Sequence, residues 1–118
     1  MVIMMGKNLE LYELQEKHLS TLFLWRNSDD FMKLCSTRRN TVSLHEFEAE
    51  LASDLRRDRH IQFLIVRKEE YIGTIYSYNL NLTDGHVFVT IYIAESWQSR
   101  GYGAEAMIVF FRVPFSRI

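Results

Sequence analysis

The chain has 118 residues, and at about 150 residues per domain that is one domain, long enough to bury a real core. Apolar residues make up 47% and charged residues 25%, a globular balance that excludes a disordered tail. Lys plus Arg number 14 against 15 for Asp plus Glu, a net charge of −1, which removes the broad basic surface of a nucleic-acid binder. No apolar run approaches the roughly 20 residues of a membrane span, so neither nucleic acid nor membrane is an expected partner. The single cysteine, Cys35, allows no intrachain disulfide and no cysteine-rich zinc site. Residues 1–6 are too short for a secretory signal and lack its basic start, so the expected compartment is the cytoplasm. There is no internal repeat, and no Pro/Gly/Ser linker sets a boundary, so residues 1–118 read as a single domain.

In chain order, Asn8 to Leu14 (NLELYEL) alternates as a short strand. Gln15 to Arg26 reads as a helix, with Leu19, Leu22, Phe23 and Trp25/Arg26 at spacings of three and four. Asn27-Ser28-Asp29-Asp30 is a cluster of turn and cap residues that stops it, and Phe31 to Leu34 adds one helical turn. Ser43 and Glu46 form a capping box. The helix behind it runs to about Arg57, with Leu44, Phe47, Leu51 and Leu55 as its apolar stripe.

The period then changes to extended. Ile61 to Val66, Tyr71 to Asn79 and His86 to Ile93 read as three strands of an antiparallel meander. Lys68-Glu69-Glu70 makes the first turn, and Asp84-Gly85 signals the second. Both faces of the last strand are largely apolar, so both faces of the sheet are covered, in part by the two helices. Ala94 to Arg100 is a loop. Gly101 to Arg112 is a helix whose uncharged AMIVFF stretch implies burial on most sides, and Pro114 ends it.

The segment that carries chemistry is Ile91 to Ala106, IYIAESWQSRGYGAEA. An apolar strand runs into a polar loop with two close glycines and directly into a helix. Free amides at a helix N-terminus and the helix dipole favour an anion there. Gly101 and Gly103 bring no side chain between a phosphate and those amides, and Arg100 adds positive charge. The preceding strand belongs to an antiparallel set, and Ala106 stands where a third glycine would be, which counts against a dinucleotide fold. No Gly-Lys-Ser/Thr follows, so this is not a Walker A loop.

Gln98-Ser99-Arg100-Gly101-Tyr102-Gly103 matches the Q/R-x-x-G-x-G/A signature, and the element order fits it too. In both respects the chain resembles the GNAT acetyltransferases, over about Asn8 to Phe111. IYIAESWQSRGYGAEAM and LYELQEKHLSTLFLWRN are similar to the subgroup of ribosomal-protein N-terminal and spermidine acetyltransferases. The resemblance implies an α/β (α+β) fold, with a mostly antiparallel sheet of about four strands flanked by helices. It also implies an acyl-CoA N-acyltransferase that moves an acetyl group from acetyl-CoA to a primary amine. The acceptor class stays open between polyamine, protein N-terminus and small molecule. The other reading is a non-catalytic member of the fold that binds CoA or dimerises.

By this resemblance the strand backbone at Tyr92, Ile93 and Ala94 pairs with the pantetheine arm. Gln98, Ser99, Arg100, Gly101, Tyr102, Gly103 and Ala104 hold the pyrophosphate, and an N–H near Ile93 polarises the thioester carbonyl. Asp29, Phe31 and Tyr78 are the acceptor-site candidates, against an ordinary helix-end turn and strand packing. The general base is unassigned: Glu95 lies past the strand end and His86 at the strand start. Cys35 reads as a small buried hydrophobe, and His18, His45 and His60 lack ligand spacing, so no metal is expected. Family domains continue with a further strand, helix and hairpin, whereas this sequence stops at Ile118. The expectation is an apolar edge at His86 to Ile93, partial loss of cover over Met107 to Phe111, and a homodimer that fills the gap.

Overall fold

A computed structural model describes residues 2–34, 38, 40–56, 60–81 and 86–113, with the side chains of residues 78–81 and 86–88 outside that description. The chain divides into two compact units: Gln15–Arg57, and Met1–Leu14 with Asp58–Ile118.

The larger unit holds β1 (Val2–Met5), β2 (Glu10–Glu13), β3 (Ile61–Arg67), β4 (Glu70–Asn81), β5 (His86–Ile93) and helix α4 (Tyr102–Phe110). The strands form one antiparallel sheet in the order β1-β2-β3-β4-β5. Four of them stand where the sequence predicts strands. The fifth, β1, is an addition: Val2 to Met5 is an unbroken apolar run with no period, and only its pairing with β2 through the Gly6–Asn8 turn makes it a strand. Leu11 is buried on β2 and Leu9 just before it, and Leu64, Ile65 and Val66 are buried on successive positions of β3. Both faces of β3 are therefore covered, which is why its sequence reads apolar without alternation. The turn between β3 and β4 puts two non-glycine residues, Lys68 and Glu69, in the left-handed region at φ 48° and 68°. A two-residue hairpin between strands of right-handed twist demands this hand, and Lys and Glu adopt it at a cost.

Helix α4 packs against β5, β2, β1 and β4. Its inward residues Ala106, Val109 and Phe110 join Phe63, Ile65 and Ile75 in the core, and the Phe110 ring meets Phe63 edge-on at 5.9 Å. The uncharged stretch is not buried on most sides, however. Met107, Ile108 and Phe111 are 39%, 56% and 49% exposed. A helix lying on one sheet face has one covered stripe, and absence of charge does not widen it. The Asp84-Gly85 turn, Cys35, Arg57 to Arg59 and Pro114 lie outside the described residues.

The second unit holds α1 (Leu19–Arg26), α2 (Asp29–Leu34) and α3 (Leu44–Arg56). The first predicted helix opens with a 3₁₀ turn, Glu16–His18. There the Gln15 N–H donates to Nδ1 of the fully buried His18, 3.0 Å away. Burial and then the charge of Lys17 lower the His18 pKa, which keeps the ring in the neutral form that this bond requires. The predicted capping box is present: Glu46 N–H donates to Ser43 Oγ at 3.1 Å, and Ser43 N–H to Glu46 Oε1 at 2.9 Å. Phe47 is buried on α3 with its ring tilted against that of Phe23 of α1, centroids 5.7 Å apart, while Leu44 and Leu55 of the predicted stripe are exposed.

Polar bonds hold the end of α1. Arg26, only 5% exposed, donates from Nε and Nη2 to both Glu50 oxygens at 2.8 and 3.2 Å and from Nη1 to the Asn40 carbonyl at 2.8 Å. Arg38 joins Glu50 to Asp54. Asn27 exchanges two hydrogen bonds with the Val42 backbone. Removing one partner of a buried ion pair strands the other, so Arg26→Met is expected to cost about 3 kcal/mol of unfolding free energy. Denaturant titration of the two proteins measures it, and equal midpoints contradict this account.

Candidate functional site

The site is built where β5 ends and α4 begins. β5 is the last strand in the sheet order, so among the described residues no strand pairs with its outer edge. Ala94 N–H donates to Ile72 O at 2.8 Å, and Thr74 and Tyr92, then Tyr76 and Thr90, stand opposite in the same ladder. In an antiparallel ladder, backbone groups of alternate residues face alternate sides. Tyr92 and Thr90 therefore face β4, and Ile93, Ile91 and Val89 face outward. Gly73 stands opposite Ile93, and a Cβ there would collide with the Tyr92 carbonyl. The close approach of β4 to the end of β5 depends on that missing side chain.

Beyond Ile93 the chain makes a 3₁₀ turn, Glu95–Trp97, with Trp97 N–H on Ala94 O at 2.8 Å. The Gln98 side chain reaches back and donates from Nε2 to Ile93 O, 2.8 Å away. Ser99 and Gly101 then both take left-handed backbone, at φ 62° and 83°. Gly101 is the helix cap and has no capping side-chain bond. The first intrahelical bond is Glu105 N–H to Gly101 O at 3.1 Å. The amides of Gly101, Tyr102, Gly103 and Ala104 lie ahead of it, where no turn of helix supplies acceptors.

Space and charge suit an anion at these amides. A Cβ on Gly101 would meet nothing within 4 Å, and one on Gly103 only Ile93 Cγ1 at 3.8 Å. The Arg100 guanidinium lies 5.3 Å from the Trp97 ring centroid, and the Trp97 and Tyr102 rings are 5.9 Å apart. Arg67, at the end of β3, lies 5.5 Å from the Tyr102 ring. Two cations thus sandwich two aromatic rings beside the loop. The donor set is N–H throughout, which fits a phosphate or pyrophosphate. Among the described residues no group of three His, Cys, Asp or Glu could hold a metal ion, and no helix is long and apolar enough to cross a membrane.

Of the residues singled out in the sequence, Tyr92, Ile93, Ala94, Gln98, Ser99, Arg100, Gly101, Tyr102, Gly103 and Ala104 come together at this junction. They do not play equal parts. Ala94 uses both backbone groups internally, Tyr92 turns its own toward β4, and Ile93 faces out. Asp29 and Phe31 lie in the other unit, in the first turn of α2. That helix is capped by Ser28, whose Oγ accepts the Phe31 N–H at 3.1 Å. Phe31 has the Arg26 guanidinium 6.0 Å from its ring centroid. Tyr78 is part of β4, with its side chain outside the described residues, and so is the side chain of His86. Tyr76 stacks on His60 at 5.3 Å. Glu95 is exposed.

Two contributors escaped sequence reasoning. Arg67 ends a strand, and nothing local marks it. Glu105 accepts the Asn8 N–H at 2.7 Å and the Asn8 Nδ2 at 2.8 Å, fastening the β1–β2 turn to the first turn of α4. An acid is expected near a helix start, but its partner lies 97 residues away. Burial raises the Glu105 pKa, and the bonds from Asn8 and Leu9 outweigh it, so the carboxyl sits below its ordinary value.

The acetyltransferase (GNAT) domain profile matches residues 8–117, and the chain belongs to that family. Solved structures share the fold. RimL, a ribosomal L7/L12 alpha-N-protein acetyltransferase in complex with coenzyme A, superposes with a TM-score of 0.80 at 15% identity, covering 95% of this chain and 66% of that one. The microcin C7 self-immunity acetyltransferase MccE, in complex with acetyl-CoA and AMP, gives 0.75 at 12% identity, over 91% of this chain and 62% of that one. Spermidine N-acetyltransferase from Vibrio cholerae, in complex with CoA and spermine, gives 0.71 at 18% identity, over 87% and 60%. This chain therefore spans about two thirds of the length of the structures it matches. No curated protein matches in sequence.

A carboxylate with a depressed folded pKa stabilises fully above its unfolded value, about 4.3, and loses that contribution as pH falls through the folded one. Wild-type melting temperature should drop with acidification below that point more steeply than that of Glu105→Gln, which lacks the titrating group. Parallel melting curves across the acid range would contradict the role given to the Asn8–Glu105 bonds.

Proposed function

We infer that this chain is an N-acetyltransferase that uses acetyl-CoA as co-substrate and acetylates a primary amine by direct attack. The observation that carries the reading is the junction itself: an outward backbone at Ile93 followed by four amides ahead of the first helical bond, on a loop where a Cβ on either glycine would meet no crowding atom. The co-substrate supplies an activated thioester. Residues that would hold it are Ile93, flanked by Tyr92 and Ala94, for the extended arm, and Gln98 to Ala104 for the pyrophosphate, with Arg100 adding charge. Ile93 N–H is the donor suited to negative charge developing on a carbonyl oxygen. The amine must arrive neutral, and an alkylammonium has a pKa near 10.4, so a base or water chain has to take its proton. No side chain of this unit is assigned that task.

For the acceptor, Asp29, Phe31 and Tyr78 remain the proposed contacts, because acids attract a cationic amine. The named relatives act on a protein N-terminus in RimL and on spermidine in the Vibrio enzyme. Both are amines that are cationic in water, which supports a peptide, polyamine or small-molecule amine as acceptor. Calorimetric titration of the chain with acetyl-CoA tests the reading. Binding in the range of about 1–100 μM, typical of substrates, is expected in wild type and not in Gly103→Glu, which puts a carboxylate among the amides. The same weak heat from both proteins overturns it. Thioester consumption with an amine panel separates an enzyme from a CoA-binding module.

The chain is further proposed to act in the cytoplasm as a homodimer. The exposed Met107, Ile108 and Phe111 of α4 support the dimer, since apolar patches drive association. Analytical ultracentrifugation should find two chains per particle at micromolar concentration, and a clean monomer there disposes of the idea.

A further inference from the structure

We propose that His60 is a specificity-determining residue of the acceptor site. Its Nδ1 lone pair would receive a second N–H of the acceptor, about 10 Å, or two strand spacings, from β5. The inference rests on the acetyltransferase reading above and adds to it a residue outside the co-substrate site. A chain of hydrogen bonds fixes the imidazole. It starts at the Phe63 carbonyl, which can only accept. Thr74 is buried and spends its single hydroxyl proton there at 2.8 Å. Thr74 Oγ1 can then only accept from Gln62, so that amide turns Nε2 to Thr74 at 3.1 Å and Oε1 to the other side. His60 Nε2 lies 3.0 Å from that Oε1. An amide oxygen only accepts, so Nε2 carries the proton, and in the neutral ring Nδ1 keeps the lone pair.

His60 is half-buried, and its Nδ1 makes no hydrogen bond among the described residues. Tyr76 holds the ring from a second side, stacked with 5.3 Å between centroids and 26° between planes. The row to which this pair belongs crosses the sheet. Gln62 stands opposite Tyr76, and Tyr76 opposite Thr90. Alternate side chains share a face, so these three lie on one face, while Phe63, Ile65 and Ile75, which join α4 in the core, lie on the other. Thr90 is flanked on β5 by Val89 and Ile91, whose backbone groups face outward toward the co-substrate edge. An acceptor laid along this row from the β5 edge ends on His60. A lone pair suits an N–H donor, whether ammonium, amide or guanidinium, and offers nothing to the end of an alkyl chain. The site thus selects amines that carry a second, remote N–H over simple monoamines.

The test compares 1,8-diaminooctane, whose extended chain spans the row, with 1-aminooctane, which lacks only the second nitrogen. Wild type should acetylate the diamine with a kcat/KM about tenfold above that of the monoamine, against about twofold from its having two equivalent ends. In His60→Phe, which keeps a flat ring against Tyr76 and loses the lone pair, the ratio should fall to about twofold. A wild-type ratio near two, or the same ratio in both proteins, overturns the proposal. A second readout needs no turnover. Long-range nitrogen–proton spectra of wild type labelled in its histidine rings, in alkaline buffer, should show the ring that contacts Tyr76 with Nε2 protonated and Nδ1 bare. The diamine, added with CoA, should move the Nδ1 signal upfield. A ring protonated on Nδ1, or one that the diamine leaves unmoved, overturns the proposal. Should His60→Phe fail to fold, the wild-type ratio and spectra decide alone. If neither amine is acetylated, the acetyltransferase reading fails, and the nitrogen spectra still decide the His60 contact.

Discussion

Everything at the junction depends on burying one stripe of α4 against the sheet. Ala106, Val109 and Phe110 are covered almost completely, and at about 1.5–3 kcal/mol for each large apolar side chain this outweighs any single polar bond nearby. Once that stripe is seated, the helix axis is fixed over β5, and its N-terminus must lie near the end of that strand. The loop from Ala94 to Gly101 then has to reverse the chain over a short span. It does so with a 3₁₀ turn and two left-handed residues. Glycine takes the second of these positions without strain. Serine takes the first at a cost of about 1 kcal/mol.

The polar contacts around this apolar seat tie it down and aim it. Glu105 fastens the β1–β2 turn to the first turn of α4, and a Cβ on Gly6 would run into Val109 and Glu105. That turn is held both by packing and by charge. Gln98 ties the loop back to the strand it leaves. Arg67 and Arg100 brace Tyr102 and Trp97 from outside. The four amides at the helix start are spared from these bonds, which gives the site its character as a donor surface.

The second unit shows a different economy. Its helices are short and expose Leu24 and Leu34, each by 70%. Much of its definition comes from Arg26, Glu50, Arg38 and Asp54, and from Asn27 on the Val42 backbone. A buried ion network specifies geometry more than it adds stability. Asp29, which can be read as an acceptor contact or as part of an ordinary turn, begins a capped helix there together with Asp30, where acids complement the helix dipole.

Much of the fold was legible from local chemistry. The extended runs of β2 to β5, the capping box at Ser43 and the glycine loop before α4 are all short-range patterns, written in adjacent residues. So was the family, because its signature is a contiguous run whose backbone geometry requires those residue types. Strand β1 was not legible, since an apolar run becomes a strand only when it finds a partner. The exposed side of α4 was not legible either, because absence of charge says nothing about which face meets the sheet. The roles of Glu105 and Gln98 follow the same division. Their positions in the chain were plain, but their partners, the Asn8 amides and the Ile93 carbonyl, are brought to them only by packing. Local sequence determined which backbone conformations were available, and tertiary packing decided which hydrogen-bonding groups were left for a ligand.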